Sequence, residues 1–143
     1  MSRFSARYIQ KLLDSSDVQH LAEIANILSS NPLTDFTLKY YNLPSALFVF
    51  IETQTWFAQG SRSGVWTYFE ATDKTTQQQM AKALLAFAPK DFYQNYLLGM
   101  SHWQDTVFTE RLDHWLDTNQ ERCNVWLVEH LQQYLALFRY HLI

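Results

Sequence analysis

Residues 121–142, ERCNVWLVEHLQQYLALFRYHL, carry the most regular hydrophobic pattern in the chain. Apolar side chains recur there at helical spacing, at Leu127, Leu131, Tyr134, Leu135, Phe138 and Leu142. This spacing puts them on one face of an α-helix. The stretch therefore predicts a single long amphipathic helix at the end of the chain.

The rest of the chain also favours helices. It has only three glycines and three prolines, whereas an all-β sandwich or barrel uses many of both in its turns. We expect an all-α fold: a single-domain bundle over residues 1–143, with seven or eight helices around an aromatic-rich core. The core side chains that we predict are Leu47, Phe50, Trp56, Phe69, Leu84, Phe87, Leu112, Trp115, Leu127, Leu131 and Phe138.

The apolar periodicity also divides the first half of the chain into elements. Residues 4–13 and 18–28 predict two helices that pair as a hairpin, while residues 36–43 fit a strand, a helix or a loop. Pro44 suits the start of a helix. The apolar run after it predicts a central buried helix that ends at Gly60.

Charge and composition limit the classes of partner. The net charge is −3, and no cluster of lysines and arginines is present to neutralise phosphates, so we expect no direct contact with nucleic acid. No apolar run approaches the roughly 20 residues of a membrane span. The first residues also lack the apolar core of a signal peptide. We therefore expect a bacterial cytoplasmic protein that does not enter membranes.

Histidine and cysteine give little sign of a metal or catalytic site. The five histidines do not cluster, and the single cysteine, Cys123, cannot form an internal disulfide or a cysteine-based zinc site. A lone thiol is a weak sign of a nucleophile, so we interpret Cys123 as a small hydrophobic residue. We predict no catalytic residue, no metal and no cofactor.

The segment GSRSG, residues 60–64, is the best candidate for a ligand loop. A nucleophile elbow needs serine at the position of Arg62, and a P-loop needs a following lysine that is missing here. If a helix begins at Ser63 or Gly64, its free N–H groups, together with Arg62, predict an anion site. The simpler interpretation, which we favour, is a corner whose serines cap that helix.

Glu52 lies inside the apolar run LFVFIETQTWF. A carboxylate in such a run must find a partner or shift its pKa, so Glu52 is a candidate general acid or base. With Arg62 and Trp66 it would form a pocket for a small ligand. We favour a structural role, in which Glu52 lies at the polar edge of its helix or pairs with a tyrosine, arginine or lysine.

Four acidic residues, Glu110, Asp113, Asp117 and Glu121, recur at steps of three and four. On one continuous helix they would form an acidic stripe opposite Phe108, Leu112 and Trp115. Such a stripe suits a basic partner or imitates the spacing of phosphates. Two alternatives remain: the stripe is an ordinary solvated face, or the sequence DTNQ at residues 117–120 interrupts the helix.

Residues Gly64–Phe69, GVWTYF, resemble a segment of the DMP19-like (DUF4375) family, and the resemblance extends over about residues 45–90. Gly64 matches the second glycine of the family's glycine pair, and Tyr68 and Phe69 match its aromatic pair. Ser63 replaces the first glycine. The resemblance implies an all-helical bacterial protein, and one member of the family imitates DNA and binds a transcription factor through an acidic surface.

These features favour a non-enzymatic protein-interaction protein that binds a basic partner through an acidic helix face. The alternative is a small-ligand-binding protein or enzyme with a pocket near Glu52 and Arg62. A homodimer that buries aromatic side chains of the last helix is a further possibility.

Overall fold

A computed structural model of the chain describes residues 5–14, 18–29 and 43–142, and every regular element in these ranges is an α-helix. The all-α prediction is therefore confirmed. The described ranges contain nine helices, one or two more than expected. They are α1 (Ala6–Asp14), α2 (Val18–Ser29), α3 (Ser45–Ser63), α4 (Val65–Ala71), α5 (Lys74–Phe87), α6 (Lys90–His102), α7 (Thr106–Thr118), α8 (Gln120–Gln133) and α9 (Leu135–Leu142).

Two predicted helix boundaries are wrong. Gly60 does not end the central helix, because α3 continues to Ser63 and Gly60 is a buried position within it. The last predicted helix is divided into α8 and α9 at Tyr134, where one residue leaves the regular helix. The open question over residues 36–43 lies outside the described residues except for Leu43, which forms a bend.

The helices gather into two compact units. Unit 1 comprises Met1–Gln54 and Asn124–Ile143, and unit 2 comprises Thr55–Cys123. Helices α3 and α8 each contribute residues to both units. The expected single domain stays a prediction.

In unit 1, helices α1, α2 and α9 pack on one another, which agrees with the predicted pairing of the first two helices. The first turns of α3 are buried on all sides, from Ala46 to Thr53. The rings of Phe50 and Phe138 meet edge to face, with 5.0 Å between their centroids. Unit 1 therefore has an apolar core in which α3 and α9 meet directly.

Unit 2 is built on aromatic rings. Trp56 makes edge-to-face contacts with Phe57 and Tyr96, at centroid distances of 5.0 and 5.1 Å, and stacks on Trp115 at 5.9 Å. These are the arrangements that ring quadrupoles favour. The hydroxyls of Tyr68 and Tyr96 share a buried hydrogen bond of 2.8 Å, so the polar ends of these rings are satisfied.

Nine of the eleven predicted core residues are buried. The other two, Phe87 and Trp115, are half-buried. Phe87 is the last residue of α5, where the helix leaves the core. Trp115 covers Trp56 with one face of its ring, and part of its indole stays accessible.

Within the described residues, no helix is both long enough and apolar enough to span a membrane.

Candidate functional site

The predicted ligand corner is a junction between two helices. Helix α3 ends at Ser63, and Gly64 follows with a φ of 94° and a ψ of 145°, a conformation that is readily available only to glycine. The N–H of Gly64 donates to the carbonyl of Gly60 at 2.9 Å, and its own carbonyl accepts from the backbone N–H of Thr67 at 3.1 Å. Gly64 therefore completes α3 and opens α4.

The start of α4 is closed by a carboxylate of the same chain. The backbone N–H of Val65 donates to Oδ1 of Asp113 at 2.7 Å, although the two residues are 48 positions apart. A helix N-terminus has free N–H donors and a partial positive charge, so an acidic group is stabilised there. The anion that the sequence predicted for this corner is thus supplied internally, and no serine side chain caps α4.

Trp66 lies against the same corner. Its side chain is 44% exposed. A Cβ atom on Gly64 would lie 3.1 Å from Cδ1 and 3.2 Å from Nε1 of Trp66, and 3.7 Å from Oδ2 of Asp113. The corner therefore joins residues from two separate predictions, Gly64 and Trp66 from the ligand site and Asp113 from the acidic stripe.

Arg62 and Ser63, the other two residues of the predicted anion site, are exposed at the end of α3. Neither side chain makes a hydrogen bond or an ion pair within the described part of the chain.

The acidic residues occupy two helices. Glu110, Asp113 and Asp117 lie on α7, which ends at Thr118, and Glu121 lies in the first turn of α8. The side-chain amide of Asn119 donates to the carbonyl of Trp115 at 2.7 Å and closes the end of α7. The continuous helix that a single stripe would need is therefore absent, as the DTNQ alternative anticipated.

Three of these carboxylates have no ionic partner in the part of the chain that the structure describes. Glu110, Asp117 and Glu121 are exposed, and none of them forms an ion pair or hydrogen bond within the described ranges. Asp113 differs because it is half-buried and caps α4. We call Glu110, Asp117 and Glu121 the acidic face.

The sequence did not reveal an ion pair close to this region. Arg122 donates from both terminal nitrogens to Asp91, at 2.5 and 2.6 Å, and its guanidinium lies 5.3 Å from the ring centroid of Phe92. Hydrogen bonding from Arg122, reinforced by its charge, lowers the pKa of Asp91. The two partners are 31 positions apart, and no local pattern connects them.

Glu52 is completely buried, with 0% of its side chain exposed. The expectation that it lies at the polar edge of its helix is therefore wrong, because every position from Ala46 to Thr53 of α3 faces packed side chains. The expectation that it pairs with another side chain stays a prediction. Glu52 belongs to unit 1, whereas Arg62 and Trp66 belong to unit 2.

Two further titratable groups are buried. Cys123 is buried at the start of α8, and burial raises the pKa of its thiol, so the thiol stays protonated as expected of a small hydrophobic residue. His130 is only 3% exposed, and its Nε2 lies 2.7 Å from the carbonyl oxygen of Ala46. Burial lowers the pKa of His130, while the contact with Ala46 raises it by less.

Elsewhere in the described residues, few features indicate a metal site or a ligand site. No group of three or more His, Cys, Asp or Glu side chains comes together there as a metal site would require. A groove of about 730 Å³ runs along α1 and contains none of the predicted site residues. Its described lining consists of Ser5, Arg7, Tyr8, Gln10, Lys11 and Asp14.

Comparison of the chain with protein-family models, curated proteins and solved structures found no match in any of the three. The resemblance to the DMP19-like family stays a prediction.

Proposed function

We propose that this chain is a non-enzymatic interaction protein of the bacterial cytoplasm that binds a basic surface of a partner protein through its acidic face. One observation carries the proposal. Glu110, Asp117 and Glu121 are exposed and have no ion-pair partner within the described residues. Carboxylates that the chain leaves unneutralised are available to lysines and arginines of a partner.

The cations closest in sequence to the acidic face are engaged elsewhere. The guanidinium of Arg111 lies 5.8 Å from the ring centroid of Phe108, and that of Arg122 binds Asp91. Neither cation forms an ion pair with Glu110, Asp117 or Glu121 within the described residues, so these carboxylates can attract a basic partner. This attraction speeds the approach of the partner at low salt and is screened beyond roughly 10 Å at 0.1 M salt.

Trp66 supplies an aromatic surface beside the acidic residues of α7. It adjoins Asp113, which lies between Glu110 and Asp117 along the helix. A half-exposed indole provides apolar contact area and binds the cationic groups of lysine or arginine over its ring. We expect the partner to place a basic side chain over Trp66.

A charge-reversal experiment tests the proposal. Glu110→Lys/Asp117→Lys changes two residues of the acidic face and leaves the Asp113 cap intact. Glu70→Lys/Glu129→Lys is the matched control, since it reverses two other exposed carboxylates and changes the net charge equally. Tagged wild-type protein and both variants are compared as baits in native lysate, and the captured proteins are identified by mass spectrometry.

We expect the wild type and the control to capture the same basic protein, and the acidic-face variant to lose it. Purified partner should then bind less tightly as salt rises, because the contact is electrostatic. Equal capture by all three baits would contradict the proposal, as would a captured partner whose affinity does not depend on salt.

The alternative function, a small-ligand-binding protein or enzyme that uses Glu52, is supported by the complete burial of this residue within unit 1. A carboxylate kept out of water is suited to acid–base chemistry or to holding a ligand. Native mass spectrometry of the purified chain tests this alternative. It predicts a bound small molecule that Glu52→Gln releases, and an unliganded mass for the wild type would count against it.

A further inference from the structure

The carboxylate of Asp113 uses only one of its two oxygens as a helix cap. Oδ1 accepts a hydrogen bond from the backbone N–H of Val65 at 2.7 Å. Oδ2 has no hydrogen bond or ion pair within the described residues. Asp113 therefore closes the start of α4 and still carries an acceptor that the described part of the chain does not use.

The indole of Trp66 lies beside this second oxygen. Its side chain is 44% exposed, and no other ring and no cation of the described residues contacts it. Cδ1 and Nε1 of Trp66 and Oδ2 of Asp113 all lie within 4 Å of the point that a Cβ atom on Gly64 would occupy. A cation over the accessible part of the indole would therefore have a carboxylate oxygen next to it, and both groups attract positive charge.

The charges around this corner are mainly negative. Glu110 lies three positions before Asp113 and Asp117 lies four positions after it, so the three carboxylates share one side of α7. Arg62, two residues before Gly64, forms no ion pair with Asp113. The corner thus lies within a row of carboxylates, and Arg62 does not occupy it.

The combination of a ring and a neighbouring oxygen favours a guanidinium over an ammonium group. A guanidinium is flat and donates N–H groups in its own plane, so it can stack on an indole and bind a carboxylate beside the ring at the same time. The ammonium of lysine is a compact and strongly hydrated charge, which loses more hydration in reaching both groups. Arginine is therefore the better match.

We propose that Trp66 and Oδ2 of Asp113 form a recognition site for an arginine side chain of the partner protein. The proposal rests on the proposed function, because it names the side chain that anchors the basic partner beside the acidic face. The site uses the indole and the second carboxylate oxygen. It does not use the N–H donors of α4, the first of which already binds Asp113.

Two synthetic peptides test the proposal. Ac-AKAARAAKA-NH2 and Ac-AKAAKAAKA-NH2 carry the same charge and differ only at the central residue. Each is titrated at low salt into the isotope-labelled full-length protein, and the dissociation constant is obtained by NMR from the backbone N–H signals of α7.

Three variants assign any preference to its side chains. Trp66→Leu removes the indole. Asp113→Asn keeps an oxygen for the N–H of Val65 and replaces the second oxygen by a nitrogen that does not accept. Trp103→Leu is the matched control, since it removes another partly accessible tryptophan of unit 2.

We expect the wild type and Trp103→Leu to bind the arginine peptide about two- to five-fold more tightly than the lysine peptide, which is the size of one cation–π contact at an exposed site. Trp66→Leu and Asp113→Asn should both lose this preference. Equal affinity of the wild type for the two peptides overturns the proposal, and so does a preference that persists in Trp66→Leu. If Asp113→Asn does not fold, Trp66→Leu decides, because its position is accessible to solvent.

The same titrations separate this site from the proposed function. If the two peptides bind equally and Glu110→Lys/Asp117→Lys weakens both, the arginine site is overturned and the acidic face remains supported. If neither peptide changes the α7 signals of the wild type, both proposals are contradicted.

Discussion

Gly64 and Asp113 together make the junction between α3 and α4. The glycine adopts a positive φ that other residues rarely take, and the carboxylate binds the first N–H of the following helix. The half-exposed Trp66 lies close to the same junction, since a Cβ atom on Gly64 would be 3.1 Å from its Cδ1.

At this junction we expect Asp113→Ala to lower the free energy of unfolding by about 1 kcal/mol, because the variant removes an acceptor at a helix N-terminus. Asp117→Ala, on the same helix and exposed, is the control and should change stability by less than about 0.5 kcal/mol. Urea unfolding at pH 7 measures both values. Equal losses in the two variants would show that Asp113 does not act as a cap.

Packing between helices α4 and α6 depends on a missing side chain. A Cβ atom on Gly99 would lie 2.1 Å from Cε2 and 2.3 Å from Cζ of Phe69. Phe69 cannot retreat easily, because it is buried and its ring contacts Tyr68 and Tyr96 at centroid distances of 5.1 Å. Glycine at this position thus allows the two helices to approach closely.

For these helices we expect Gly99→Ala to destabilise the protein by about 1–3 kcal/mol, as overpacking of a core typically does. This loss would exceed the gain of roughly 1 kcal/mol that alanine normally brings to a helix interior. Gly60→Ala provides the comparison, since its nearest neighbour is the end of the Leu116 side chain at 2.9 Å. Thermal and urea unfolding should rank Gly99→Ala as the more damaging change, and the opposite order would refute the packing argument.

For the whole molecule, two groups link stability to pH in the same direction. Burial lowers the pKa of His130, and Arg122 lowers that of Asp91. In both cases the unfolded chain binds a proton more readily than the folded chain, so stability is lost as pH falls. The loss begins below 6.5 for His130 and below 3.8 for Asp91, the ordinary values for these groups.

The variant Asp91→Asn tests the loss of stability that begins below pH 3.8. Both partners of the ion pair are accessible to solvent, so this variant should lose only about 0.5 kcal/mol at pH 5.5. Its stability should then fall less steeply than that of the wild type between pH 4 and pH 3. Asp117→Asn, which removes an unpaired carboxylate, is the control. If wild type and Asp91→Asn have parallel profiles, the ion pair does not contribute to acid sensitivity.

The helices and most of the core were predictable from the sequence. Nine predicted core residues are buried because they recur at helical spacing within single helices. The error at Gly60 has a different origin. A glycine within a helical pattern commonly indicates the end of a helix. Here Gly60 lies inside the helix, and the side chain of Leu116 packs close to it. Nothing near residue 60 in the sequence reveals that neighbour.

The candidate site was predictable only in part. Gly64, Trp66 and Asp113 were all recognised as candidates, but in separate groups, and the hydrogen bond from Val65 to Asp113 links positions 48 residues apart. The sequence left open whether Glu52 is buried, because Glu52 is the one charged residue in an apolar run and local spacing does not identify the side chains that surround it.

By itself the sequence determined that the chain is helical and which faces of its helices are apolar, because both depend on residues three and four positions apart. Only the tertiary structure decided which carboxylates form hydrogen bonds or ion pairs with distant residues and which form none within the described residues. Asp113 and Asp91 are held by groups far away in the chain, whereas Glu110, Asp117 and Glu121 have no such neighbour in the described residues. Ionic and capping contacts act through space, so their partners cannot be read from local spacing.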